Sequence, residues 1–113
     1  MDYVLREAKQ KKFIIVDLTG EIDTLNTDKF AEIFQQLFQA ENFNIILNFE
    51  RVTYINSSGL GIIASNLKKA KENRGELRII NVSEEIYEIF DMVRFTKIIK
   101  FYDNEEAALK DVI

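Results

Sequence analysis

The hydrophobic pattern of this chain predicts an α/β layer structure: a mixed, mostly parallel sheet with an antiparallel N-terminal edge hairpin and about four helices, in the order β-β-α-β-α-β-α-β-α. Two observations predict it. Short apolar runs rich in β-branched residues alternate with segments whose apolar residues recur at helical spacing. No Pro/Gly/Ser-rich linker, low-complexity tract or internal repeat interrupts the 113 residues, so residues 1–113 read as one domain.

The elements follow in order. Tyr3–Ala8 and Phe13–Leu18 are apolar runs separated by the polar stretch Lys9–Lys12, the pattern of a hairpin. In the second run Ile14, Val16 and Leu18 share one face while Phe13 and Ile15 share the other, which predicts burial on both sides. From Thr27 the period changes: Phe30, Ile33, Phe34, Leu37 and Phe38 form one stripe of an amphipathic helix, with Asn26 or Thr27 as its cap. Asn44–Phe49 is short and centrally apolar, as an interior strand should be. Leu60, Ile63, Ala64, Leu67 and Ala70 repeat at helical spacing up to Asn73-Arg74-Gly75, where glycine would take the left-handed C-terminal position. A strand at Glu76–Asn81 precedes a helix capped by Ser83, with Ile86, Ile89 and Phe90 facing inward. Lys97–Phe101 then reads as a strand, and Asp103 with Glu106 as an acidic capping box for a final helix.

Composition narrows the chemistry. The chain contains no Cys, His, Trp or Pro, so it can build no disulfide, thiol nucleophile, Cys/His metal site or Ser-His-Asp triad. With 15 Lys+Arg against 19 Asp+Glu the formal net charge is −4, and no sustained basic run offers an electrostatic footprint for nucleic acid. At 47% hydrophobic and 30% charged, with 9 Phe and 4 Tyr, this is the composition of a compact globule. No apolar run approaches the roughly 18–20 residues needed to cross a bilayer, and MDYVLREAKQ lacks the apolar region of a signal peptide. No membrane insertion and a cytoplasmic setting are the expectation.

Function in such sheets concentrates beyond the carboxyl ends of the strands, which singles out the loops Thr19–Asn26, Glu50–Ser58 and Asn81–Ser83. The second is the most informative. A strand ends near Phe49, a connection runs through Tyr54-Ile55, and Asn56-Ser57-Ser58-Gly59 opens the next helix. Free N–H groups in that first turn can be satisfied by Asn56 or Ser57 as a cap and can accommodate an anion. Alone, N-S-S-G is a weak signal that capping explains better than function does.

The wider match carries more weight. Val52-Thr53-Tyr54-Ile55-Asn56-Ser57-Ser58-Gly59-Leu60-Gly61, preceded by Thr19-Gly20-Glu21-Ile22-Asp23, resembles the STAS domain family, specifically the bacterial anti-sigma-factor antagonists. Gly75 with Glu76–Ile80, Ile89-Phe90-Asp91-Met92 and Ile98–Phe101 are similar to the family's later segments, so the resemblance covers nearly the whole chain and implies a STAS-like fold. It also implies partner switching. The serine at the position of Ser57 is phosphorylated by a cognate anti-sigma factor that is also a serine kinase. The unphosphorylated antagonist binds that factor and frees the sigma factor for transcription, and a phosphatase reverses the modification. This chain would itself be no enzyme and need no cofactor. Glu21, Asp23, Asn56, Ser57, Ser58, Gly59 and Leu60 are the expected partner-binding residues, Ser57 the phosphoacceptor.

Two departures from the family pattern stand out. Asn56 replaces the acidic residue that usually precedes the phosphoacceptor; it can still cap the helix but changes what a kinase meets. Val93-Arg94-Phe95 stands where many members have a small residue and glycine, so Arg94 must end the third helix without glycine's freedom. Asn56 is the feature that favours the alternative, a non-phosphorylated STAS scaffold or accessory subunit of a larger signalling or transport complex. A phosphate-receiving aspartate domain is disfavoured because only Glu21 and Asp23 share a strand-end loop, too few carboxylates to hold Mg²⁺. Lys68, Lys69 and Lys71 read as a solvated helix face, and the edge strand Tyr3–Ala8 leaves room for a second copy, a homodimer.

Overall fold

Among the described residues five strands and four helices follow one another in the expected order. The computed structural model describes residues 1–112. The elements are β1 (Asp2–Glu7), β2 (Ile14–Ile22), α1 (Thr27–Gln39), β3 (Asn44–Ile55), α2 (Ser57–Glu72), β4 (Glu76–Ile80), α3 (Glu84–Met92), β5 (Lys100–Tyr102) and α4 (Glu105–Leu109), with 3₁₀ turns at Thr24–Asn26 and Phe95–Lys97. The sheet order is β1-β2-β3-β4-β5; β1 pairs antiparallel with β2 and the other pairs are parallel. Among the described residues no helix is long and apolar enough to cross a membrane.

Strand alternation divides the core between two layers. Val16 and Leu18 of β2, Ile45, Leu47 and Phe49 of β3, and Leu77 and Ile79 of β4 pack against the apolar faces of α1, α2 and α3. On the opposite face Phe13, Ile15, Ile46 and Ile80 meet Ala108 and Leu109 of α4. The phenylalanine stripe of α1 lies in the core, Phe30 and Phe34 edge to face at 5.4 Å between ring centres. Such pairs add about 0.5–1.5 kcal/mol to the burial itself.

Arg78 is the buried charge of the small layer. Its N–H groups are engaged by both carboxylate oxygens of Glu76 at 3.1 Å, by Asp111 at 2.7 and 3.1 Å and by the carbonyl of Ala108. The guanidinium also lies between the rings of Phe13 and Tyr102. It ties the chain around α4 to the sheet.

Beyond the apolar part of that face, a polar network holds the sheet. Arg6 donates from Nε and Nη2 to Asp17, and from Nη2 to Glu105 at 2.8 Å. Asn48 donates to Asp17 at 2.7 Å and accepts from Asn81 at 3.0 Å, so the network links β1, β2, β3, the residue that follows β4, and α4. Hydrogen bonding from Arg6 holds the Asp17 carboxyl below the usual aspartate range. A depressed folded-state pKa contributes stability above the unfolded value of about 3.9, lost as pH falls through the folded one. Asp17→Asn is therefore expected to be less stable than wild type at neutral pH and to lose less on acidification below about pH 4. Urea unfolding at both pH values checks this, and equal acid losses in the two proteins would contradict it.

The structure corrects several local expectations. The left-handed residue that ends α2 is Arg74 (φ 63°), not Gly75; glycine is needed at 75 because a Cβ there would collide with the backbone carbonyl of Phe43. Neither Asn26 nor Thr27 caps α1 with its side chain, since a 3₁₀ turn capped by Asp23 feeds directly into the helix. Asn104, not Asp103, caps α4 by accepting from the N–H of Ala107. The last strand starts at Lys100, after a 3₁₀ turn. Ser83 caps α3 as expected, and Arg94 carries the left-handed conformation (φ 65°).

Candidate functional site

β3 does not stop at Phe49. It continues to Ile55, so most of the expected loop Glu50–Ser58 is strand and the connection to α2 is Asn56 alone. The register with β2 slips between Asp17 and Thr19 and again between Gly20 and Glu21, with an extra β3 residue each time. These bulges bend the strand and re-aim its side chains. Val52, between the two slips, and Ile55, after both, enter the core while Thr53 and Tyr54 are exposed. Gly20, at the second slip, has φ +100°, which glycine adopts without steric cost.

This overshoot decides which loops share the site. β4 ends at Ile80 beside Asn48, whereas β3 runs on beside β2 until Ile22 meets Ile55. At about 3.3 Å per residue, the loop Asn81–Ser83 is left roughly 20 Å short. Two of the three expected loops therefore meet, and the third does not.

Asn56 joins them. Its backbone N–H donates to the carbonyl of Ile22 at 3.1 Å, its Oδ1 accepts from the N–H of Gly59 at 3.2 Å, and its Nδ2 donates to Thr24 Oγ1 at 3.1 Å. One side chain thus caps α2 and fastens the neighbouring turn. That turn is braced by Asp23, whose Oδ1 accepts from the N–H of Leu25 at 3.0 Å and from Asn26 Nδ2 at 2.9 Å. Asp23 and Asn56 are both committed to shaping the backbone, which brings the Glu21–Asn26 segment alongside the start of α2.

Ser57 is the first residue of α2 and is exposed. Because Asn56 supplies the cap, the Ser57 hydroxyl is not used in closing the helix. The N–H groups of Ser57 and Ser58 have no acceptor within the helix, so negative charge at this end is favourable. Ser58 is half-buried. The structure turns Gly59 and Leu60 inward, which leaves little side-chain surface at either. Leu60 is 8% exposed in the core, and a Cβ on Gly59 would lie 2.7 Å from Ile22 and 2.9 Å from Ile55. Their role is to let α2 seat closely on the ends of β2 and β3 and so position Ser57. Gly61, by contrast, faces open space.

Glu21 is exposed beside this turn, in register with Tyr54. Two further exposed side chains flank the serine that sequence reasoning did not select: Leu25, 93% exposed at the tip of the turn, and Tyr54, 46% exposed at the end of β3. Leu25 carried a signal, as a lone large apolar residue in the polar stretch TGEIDTLN. Lys68, Lys69 and Lys71 are exposed in the last turns of α2, about 16 Å or more along the helix from Ser57.

Comparison with known proteins gives a consistent set. The model of the STAS domain matches residues 6–108. The anti-sigma F factor antagonist of Paenibacillus polymyxa is 30% identical over 113 residues, covering 99% of this chain and 97% of the relative. The anti-sigma-B factor antagonist of Staphylococcus aureus strain NCTC 8325 is 32% identical over 92 residues, 81% of this chain and 85% of the relative. Among solved structures, the Bacillus cell fate determinant SpoIIAA in its phosphorylated form superposes with a TM-score of 0.75 at 22% identity, covering 99% of this chain and all of the other, a likeness of fold.

Proposed function

The chain belongs to the STAS domain family, among the anti-sigma-factor antagonists, and on that premise we propose that it binds an anti-sigma factor through the surface around Ser57 and is released when Ser57 is phosphorylated. The observation that carries the proposal is the division of labour at the start of α2. Asn56 caps the helix and leaves the exposed Ser57 hydroxyl free to react. In the reaction a partner kinase transfers the γ-phosphoryl group of ATP to Ser57 Oγ, ADP leaves, and the hydroxyl proton passes to the kinase.

Magnitudes locate the switch at the interface. A phosphoserine adds about −1.5 to −2 charge to a chain already at −4. At a helix N-terminus that charge gains roughly 0.3–1 kcal/mol, so the fold tolerates it. Against a docked partner the same group must lose water beside Glu21, and an unpaired charge buried in an interface costs about 2–5 kcal/mol. The interface effect wins, so the output is release rather than unfolding. A phosphatase resets the module by hydrolysis, and freeing the anti-sigma factor's own target to act is the consequence of binding.

Incubation with ATP and the cognate anti-sigma factor tests the reading: wild type should gain one phosphate, mapped to Ser57, and Ser57→Ala none. Modification of both proteins to the same extent would overturn it. Asn56→Asp should keep the cap, because a carboxylate oxygen can accept from Gly59 and the Thr24 hydroxyl can turn from acceptor to donor. It is expected to speed phosphoryl transfer by restoring the family's carboxylate beside the acceptor. An unchanged rate would assign residue 56 to the helix alone.

A further inference from the structure

The N-terminal edge of the sheet is complementary to itself. β1 pairs only with β2, so alternate N–H and C=O groups along its outer edge are unpaired. Tyr3 and Leu5 lean on the core under the helices, while Asp2, Val4 and Arg6 lie on the other face, Val4 60% exposed. A second copy added antiparallel, with both helical layers on the same side, keeps the faces continuous only when the two-fold axis passes through a residue. Centred on Tyr3, Asp2 would oppose Val4. Centred on Leu5, Val4 would oppose Arg6 and Tyr3 would oppose Glu7. Centred on Val4, each Asp2 opposes an Arg6, each Tyr3 opposes a Leu5, and the exposed Val4 meets its own copy, each a favourable pair, while Glu7 falls opposite Met1.

The charged groups are available for this pairing. The Asp2 side chain is 88% exposed and among the described residues is held only by Lys29 at 3.4 Å. Arg6 uses Nε and Nη2 on Asp17 and Glu105, while Nη1 has no partner among the described residues. We propose that β1 is a homotypic docking edge, through which two copies join their five-stranded sheets into one across a two-fold axis at Val4. A six-residue strand is about 20 Å long and buries less than a standard stable interface, so the association is weak and transient. The axis stands perpendicular to the sheet, which puts the two Ser57 sites at opposite ends of the joined sheet, both free for partners. The pairing is independent of phosphorylation.

Because the chain has no cysteine, Val4→Cys reports the axis directly. Opposed Cα atoms in an antiparallel pair are about 4.5 or 5.5 Å apart, within the disulfide range. Under mild oxidation Val4→Cys is expected to form a disulfide dimer about tenfold faster than Thr53→Cys, an exposed control on β3, which is not a neighbour of β1 in the sheet, because pairing raises the effective thiol concentration. Adding Asp2→Lys, which sets a cation opposite Arg6, should abolish most of that advantage. Sedimentation of wild type should show self-association rising from micromolar to millimolar protein. Equal rates for the two cysteine variants, no effect of Asp2→Lys, or a wild type that stays monomeric to millimolar concentration would each overturn the proposal.

Discussion

Ser57→Asp is expected to bind the anti-sigma factor more weakly than wild type by about 2–5 kcal/mol, roughly 30- to 5,000-fold in Kd, while folding normally. The charge sits at the start of a 16-residue helix whose orphan N–H groups favour it, and it enters an exposed position without displacing a packed side chain. Ser57→Ala should bind as wild type does and remain bound when ATP is present. Its stability should lie within about 0.5 kcal/mol of wild type, because the capping oxygen belongs to Asn56. Calorimetric titration and urea unfolding of the three proteins measure both quantities. A loss of a kilocalorie or more in Ser57→Ala would return the serine to a structural role.

The largest stability effect is expected on the other face of the sheet. Arg78→Ala should destabilise the fold by about 3 kcal/mol, close to a 10 °C fall in Tm. The side chain is 4% exposed, and truncation removes its bonds to Glu76, Asp111 and Ala108 together with its packing between Phe13 and Tyr102. Glu76 and Asp111 are 36% and 58% exposed and can regain water, which keeps the loss at the lower end for a broken buried pair. Arg78→Met retains the apolar stem and should recover about half of the loss. Arg78→Lys cannot fork between two carboxylates and should fall short of wild type. Thermal unfolding of the series measures the order; an alanine variant as stable as wild type would remove Arg78 as the anchor of the C-terminal segment. Anti-sigma-factor binding should survive these changes, since Ser57 opens α2, in the layer on the opposite face of the sheet.

The legible parts of the fold are those that local periodicity determines. The Phe30–Phe34 stripe, the two-faced β2 and the interior strand from Asn44 bury residues at spacings set by a single element. Ser83 as a cap follows from the chemistry of one residue, and Arg94 as the stop of the third helix from the glycine that the family carries at that place. What escaped depends on residues distant in sequence. Glu50–Ile55 reads as a loop because two bulges break its alternation, and both arise from the register with β2. Gly75 is required by the carbonyl of Phe43, and buried Arg78 by Asp111 and Phe13. At the candidate site, the strand-to-helix junction at Asn56-Ser57 is legible as a motif. That Gly59 and Leu60 face inward, and that Leu25 and Tyr54 stand out beside the serine, follows from how α2 seats on the bulged strand ends.

The most direct test of the phosphorylation switch is parallel capture from cells of the source organism with wild type and Ser57→Asp as baits, the bound proteins identified by mass spectrometry. An ATP-binding anti-sigma factor should be retained by wild type and lost from Ser57→Asp. Recovery of the same assembly by both baits would contradict the switch and leave this chain a fixed subunit whose serine does no more than begin a helix.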